Sequence, residues 1–447
     1  MEQQESQSSG GLRRSRLLQG PLRAFAYPRY AAFWSVSLLS IMSFFMVMIA
    51  RGWLILELTD SPFKVAAVQA AQLVPMLVLP LISGALADRG GRKMLLFTTD
   101  VFNFASLLAM GALVYFEFIQ EWHVFALALA NGVAFSFAMP ARTSVVPDLV
   151  RRSDVASAVA LFSTIFSLGQ VAGPTPAGYI IEFFGMAHTF FVASLLLIPA
   201  LVGIAMFDIP VIAGRQRLAP NGARESMAQS ILYGLRYVRG QPVIIALLLL
   251  GLIVMTFVMP FQAVMPVLVR DVLNRGPDDL GVLMTAIGVG ALMGSLTAAT
   301  ARGMPQLTRL MMVAGLLVGV ILTLFAVSNF YLLSLALATC LGLSTQLFMT
   351  SNMTMVQLAT PDYVRARVIS IRFILVGLGP VGIMAMGFAA ETFGAVPSII
   401  AMSSMNILFV ALVLVLFPSI RHARRTPPAA ERPDVAEPAE PEAQPSG

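Results

Sequence analysis

The chain has 447 residues, of which 57% are hydrophobic and 12% charged, against about a quarter charged in an ordinary soluble domain. That composition excludes a soluble globular protein, and its net charge of +6 is spread along the chain rather than gathered into a nucleic-acid-binding face. One cysteine, Cys340, excludes an internal disulfide or a thiolate zinc site.

A membrane span needs roughly 20 apolar residues, and apolar runs bounded by charge or by Pro and Gly give twelve of them. The first six are expected over 31–56, 63–86, 94–116, 122–139, 155–181 and 186–207, and the second six over 243–269, 280–301, 310–327, 331–349, 368–390 and 395–417. The expected class is therefore an all-α membrane protein of twelve transmembrane helices, with a tail over 1–30, a first half over 31–208, a linker over 209–241, a second half over 242–417 and a disordered tail over 418–447. The first apolar run is too long for a cleavable signal and reads as a retained span.

Lys and Arg mark cytoplasmic segments. They gather before span 1 (Arg13, Arg14, Arg16, Arg23, Arg29), between spans 2 and 3, in the linker (Arg215, Arg217, Arg224, Arg236, Arg239) and after span 12. The alternate loops hold Lys64, Arg270 and Arg275. Both termini are expected in the cytoplasm and the bundle in the cell inner membrane. In the linker, Met227, Ile231, Leu235 and Val238 recur at helical spacing, which suits a helix on the inner leaflet or one packed on the bundle. The final residues, rich in Pro, Ala and Glu, lack the apolar side chains that order a chain.

The halves echo one another. Pro147-Asp148-Leu149-Val150-Arg151 is answered by Pro361-Asp362-Tyr363-Val364-Arg365, Gly173-Pro174 by Gly379-Pro380, and Glu182, Phe184 and Gly185 by Glu391, Phe393 and Gly394. Each echo is separated by nearly half the chain, and six is an even number, so the pattern reads as a parallel repeat about an axis along the membrane normal.

Between spans 2 and 3 stands Gly84-Ala85-Leu86-Ala87-Asp88-Arg89-Gly90-Gly91-Arg92-Lys93. This resembles the signature loop of the major facilitator superfamily at every specified position, and the resemblance covers the whole chain. It implies that Gly84, Asp88, Arg89, Gly91, Arg92 and Lys93 form a cytoplasmic gate that latches the halves when the carrier opens outward, with Arg142 and Arg372 nearby. The second half keeps Gly294, Leu296 and Arg302 but has Ala298 in place of the acid, so the latch is expected to be asymmetric. Gly169, Gly173, Pro174 and Gly178 in span 5 resemble the family's antiporter motif, with Ala177 for one Gly. That motif accompanies export, although small-residue packing alone also explains such spacing, as at Gly290 and Gly294. The arginine of the best-described proton antiporters is missing, because its place on span 4 is taken by Ala128. Trp53, Leu54, Leu58, Thr59, Ser61 and Pro62 make the chain most similar to the branch of macrolide efflux proteins and the enterobactin exporter.

An ionisable residue inside a membrane is costly and marks a functional candidate. Asp100, about 9 Å into span 3, is the coupling candidate and is expected to join a charge network with Arg92 or Arg142, as is Arg372. Arg51 is expected to snorkel outward. The candidates for the substrate cavity are neutral: Gln69, Gln72, Asn103, Asn131, Gln170, Thr256, Gln262 and Gln346. His123, His188 and His422 form no metal or nucleophile constellation, and no phosphate-binding Gly-rich loop occurs. The expectation is a carrier without cofactor or metal, not an enzyme and not a nucleic-acid binder. Acting as a monomer in the bilayer, it would export small amphipathic molecules, drug-like or siderophore-like, by alternating access and proton antiport. An uptake carrier or a lipid or lysolipid carrier of the same fold is the alternative.

Overall fold

The computed structural model describes residues 22–76, 79, 92–206 and 227–419. Eleven helices among them are long and apolar enough to cross a membrane. The helix Pro62–Leu73 occupies the first part of the run expected for span 2, whose remainder lies largely outside the described residues. No strand occurs among the described residues, as the hydrocarbon core requires of a chain that must satisfy every backbone group within each segment.

Helix starts follow from local chemistry. Proline occupies the first turn of span 1 (Pro28–Thr59), span 2, span 7 (from Pro242) and span 8 (Pro277–Ala299), where its missing N–H costs no hydrogen bond. Span 1 ends at Asp60, whose left-handed conformation returns its N–H to the Leu56 carbonyl, and Ser61 then caps span 2 by accepting from the Lys64 N–H. Several spans run farther than their apolar runs suggest, spans 4, 9, 10 and 11 among them. Span 4 covers Glu121–Val145 and span 10 covers Tyr331–Ala359, because polar stretches such as Asn352 to Thr354 continue the helix inside the bundle.

The repeat is visible in the breaks. Span 5 divides into Val155–Ala172 and Pro174–Phe184, and span 11 divides into Asp362–Val376 and Gly379–Phe393. The first break falls at Gly173-Pro174 and the second at Gly377-Leu378, immediately before Gly379-Pro380; in each, proline removes one helical donor. Each second segment then ends in a glycine turn of nearly the same conformation, φ 89° and ψ 163° at Gly185 against φ 88° and ψ 159° at Gly394. Only glycine adopts that conformation without strain. Span 7 is less regular, with a 3-10 turn over Met259–Val264 and a π turn over Leu268–Val272.

Small residues let the helices touch, as is usual between membrane helices. A Cβ on Gly132 of span 4 would lie 2.1 Å from the Gln72 carbonyl oxygen of span 2, and one on Gly342 of span 10 would lie 2.0 Å from that of Ile287 in span 8. The linker helix Met227–Arg239 packs on the bundle. Gly234 abuts Ile371 and Arg367 of span 11, and the Arg367 guanidinium lies 4.5 Å from the Tyr233 ring centroid. At the same end Asp154, 3% exposed, accepts from the Tyr27 hydroxyl at 2.6 Å and pairs with Arg23. That bond to Asp154 holds the Tyr27 phenol above its usual pKa.

Candidate functional site

With twelve spans, span 1 begins and span 12 ends at one end of the bundle. The opposite, distal end holds the loops between spans 1 and 2, 3 and 4, 5 and 6, 7 and 8, 9 and 10, and 11 and 12. Here the two halves are joined. Glu391 of span 11 accepts from Ser61 Oγ at 2.9 Å and from the Phe63 N–H at 3.1 Å, placing a carboxylate on the positive end of span 2. Gly387, one turn away, abuts Phe63 and Ala66. In the pseudo-symmetric position Glu182 of span 5 approaches Gly276, the residue preceding span 8, where a Cβ would lie 2.8 Å from its Oε2. Arg270 pairs with Asp60 across the halves and with Asp271 at 2.6 Å.

The residues resembling the antiporter motif connect span 5 to both halves. Gly169 and Gly173 bring it onto Ile41, Met42 and Phe45 of span 1. Farther along, a Cβ on Gly178 would meet the Pro277 carbonyl oxygen at 2.3 Å, and one on Gly281 would meet the Pro174 carbonyl oxygen at 2.5 Å. Thr175 completes the crossing by bonding to Thr285 of span 8 at 2.7 Å.

Inside the first half, spans 1, 2, 3, 4 and 6 line a partly open cavity of about 50 Å³. Its lining includes Ser40 and Arg51 of span 1, Gln72 of span 2, Asp100 and Asn103 of span 3, and Asn131 and Arg142 of span 4. Arg142 Nη2 lies 2.7 Å from both Asp100 oxygens and 3.2 Å from Ser40 Oγ, and both side chains of the ion pair are at most 5% exposed. Asn131 Oδ1 accepts from Ser106 at 2.7 Å.

Asp100 thus meets Arg142, one of its two expected partners. Arg51 departs from expectation, since it does not snorkel outward. It is 3% exposed, and its Nη1 donates to Gln72 Oε1 at 3.1 Å while its Nε has no partner among the described residues. The physical reason is the length of span 1: the helix runs on to Thr59, so eight residues, about 12 Å of helix, separate Arg51 from its end. Arg372 does not join the Asp100 network. Its Nη1 donates to Met353 Sδ at 2.7 Å within the second half, and its Nε has no partner among the described residues.

Of the eight neutral candidates, Gln72, Asn103 and Asn131 share this cavity. The other five lie elsewhere. Gln69 neighbours Gly52, the Gln170 carbonyl meets Gly288, the Thr256 carbonyl meets Gly382, Gln262 is half-buried in the 3-10 turn of span 7, and Gln346 donates to Thr350 at 3.2 Å. In the signature loop, Gly84, Asp88, Arg89 and Gly91 lie outside the described residues, Arg92 starts the helix of span 3, and Lys93 Nζ donates to the Ala205 carbonyl of span 6 at 2.9 Å.

Sequence reasoning noted Glu182 and Glu391 only as repeat markers and gave Asp60 and Arg270 no role. A Ser-Pro or Gly-Pro start to a span, with an acid at the end of another, was the available signal. Nothing in a sequence says which helix end an acid will meet.

Residues 19–444 match the family described as transmembrane secretion effector. The chain is 26% identical over 380 residues to the multidrug efflux pump Tap of Mycolicibacterium fortuitum, covering 83% of this chain and 91% of that one. It is 25% identical over 395 residues to the staphyloferrin A transporter of Staphylococcus aureus, covering 86% and 94%, and 22% identical over 399 residues to macrolide efflux protein A of Streptococcus pyogenes, covering 88% and 96%. Among solved structures, a bacterial homologue of the human lysosomal transporter Spinster, inward-facing and unoccupied, superposes with a TM-score of 0.71 at 12% identity, over 90% of this chain and 98% of that one. The chain therefore belongs to the transmembrane secretion effector family of major facilitator transporters, and it is a membrane carrier rather than an enzyme.

Proposed function

We propose that the protein exports small amphipathic molecules, drug-like or siderophore-like, from the cytoplasm by alternating access, driven by proton antiport. The observation that carries the reading is the seat of span 5. Its small residues allow backbone contact with span 8 of the other half, a close crossing of the kind that closes a carrier against leaks. The named efflux relatives support the same direction, and the staphyloferrin A transporter supports siderophore-like cargo.

The basic residues of the termini and linker support a cytoplasmic location for that end, and on this reading the joined distal end is the outer face of a bacterial inner membrane. Coupling falls to the pair of Asp100 and Arg142. Protonating Asp100 would dissolve an ion pair that is otherwise enclosed, and freeing Arg142 would let spans 3 and 4 move against span 1 through Ser40. One proton moving down 100 mV releases about 2.3 kcal/mol, enough to sustain about a fortyfold gradient of neutral cargo.

The test compares metabolites in medium and cell extract between a strain carrying the protein and one lacking it. Export predicts a compound that accumulates inside the deficient cells. A compound that those cells fail to acquire would assign the protein to uptake instead.

A further inference from the structure

Among the described residues that line the first-half cavity, Arg51 and Arg142 are cations and Asp100 is the one anion. Arg142 engages both oxygens of that anion at 2.7 Å. Arg51 is left with the neutral Gln72 amide oxygen at 3.1 Å and with an Nε that no group among the described residues accepts from. The cavity therefore carries one uncompensated positive charge on a side chain 3% exposed. Burial of that kind is tolerated when a counter-ion is supplied.

The other polar groups suit an anion as well. Asn131 has its oxygen committed to the Ser106 hydroxyl, so its amide N–H groups are the ones left to donate. A guanidinium offers a planar fork of N–H groups that fits a carboxylate. Size restricts the occupant further: a whole drug-sized ligand needs roughly 300 to 1,000 Å³, whereas this cavity is about 50 Å³, room for a halide or a single carboxylate group.

We propose that Arg51, with Gln72 and Asn131, forms a binding site for one small monovalent anion, either a carboxylate arm of the cargo or a free inorganic anion such as chloride. The site stands on the cavity alone and holds for either direction of transport.

The test uses the purified full chain in lipid nanodiscs. Its melting temperature is followed against rising sodium acetate or sodium chloride, with ionic strength held constant by a sulfonate salt too bulky to enter the cavity. The wild type should gain a few degrees along a saturable curve, and Arg51→Gln should show no gain. Gln72→Glu provides a second arm that does not remove the arginine. It places a carboxylate where the amide oxygen already bonds to Arg51, so this variant should fold and lose its anion response. Saturable gain with acetate alone assigns the site to a cargo carboxylate, and saturable gain with chloride assigns it to a free inorganic anion. No saturable gain in the wild type, or an equal gain in Gln72→Glu, overturns the proposal. The readout needs no transport, so its failure and failure of the export reading are separate results.

Discussion

Glu391 and Ser61, on opposite halves of the carrier, are held 2.9 Å apart from Oε2 to Oγ, and the same carboxylate oxygen takes the Phe63 N–H. A carboxylate on a helix N-terminus contributes about 0.3 to 1 kcal/mol at exposed sites. Glu391→Gln keeps an acceptor and removes the charge, so it should favour outward opening by roughly twofold to fivefold. Spin labels at Leu58 and Phe393, both exposed at this end, should gain a longer-distance population in the variant. An unchanged distance distribution would mean that the cap does not hold the closure.

The two Gly-Pro breaks make a sharper prediction because their surroundings differ. A Cβ on Gly173 would lie 2.8 Å from both the Met42 carbonyl oxygen and Phe45 Cβ, whereas one on Gly379 meets nothing within 4 Å among the described residues. Gly173→Ala should abolish or greatly reduce transport, and Gly379→Ala should leave it near wild type, with equal membrane yields. Equal effects at both sites would refute the close seat of span 5 on span 1.

The enclosed pair of Asp100 and Arg142 predicts a stability pattern. Asp100→Asn leaves the arginine buried without its carboxylate, at a cost of about 3 to 5 kcal/mol, so the melting temperature should fall. The double variant Asp100→Leu with Arg142→Met removes both charges and should recover most of the loss while remaining inactive in coupled transport. Failure of the double variant to recover would show that polar contacts such as that to Ser40 dominate the region.

Much of this architecture was legible in the chain. The apolar runs located the spans to within a few turns, and the echoes of Gly173-Pro174 and Gly185 predicted features that recur as matching breaks and turns. The pairing of Asp100 with Arg142 was accessible because both lie near the same end of adjacent spans. The destination of Arg51 was not, since an apolar run shows neither how far the helix continues past it nor which face its side chain takes. Nor was the join through Glu391 and Glu182, which depends on how two halves far apart in sequence meet in space.

Orientation can be checked directly. In a Cys340→Ser background, Asn329→Cys in the exposed distal loop should react with an impermeant thiol reagent in intact cells, and Gly240→Cys after the linker helix should react only after the membrane is opened. The reverse pattern would turn the carrier over and with it the direction of export.

Proteoliposomes holding the purified protein and loaded with a macrolide, a cationic dye or a siderophore measure coupled export most directly. Release of at least one cargo should quicken when a pH gradient or membrane potential is imposed, stop with a protonophore, and lose its pH response in Asp100→Asn. Concentrative release that persists with both gradients abolished would contradict proton-driven export, and an unaltered pH response in Asp100→Asn would remove Asp100 from the coupling.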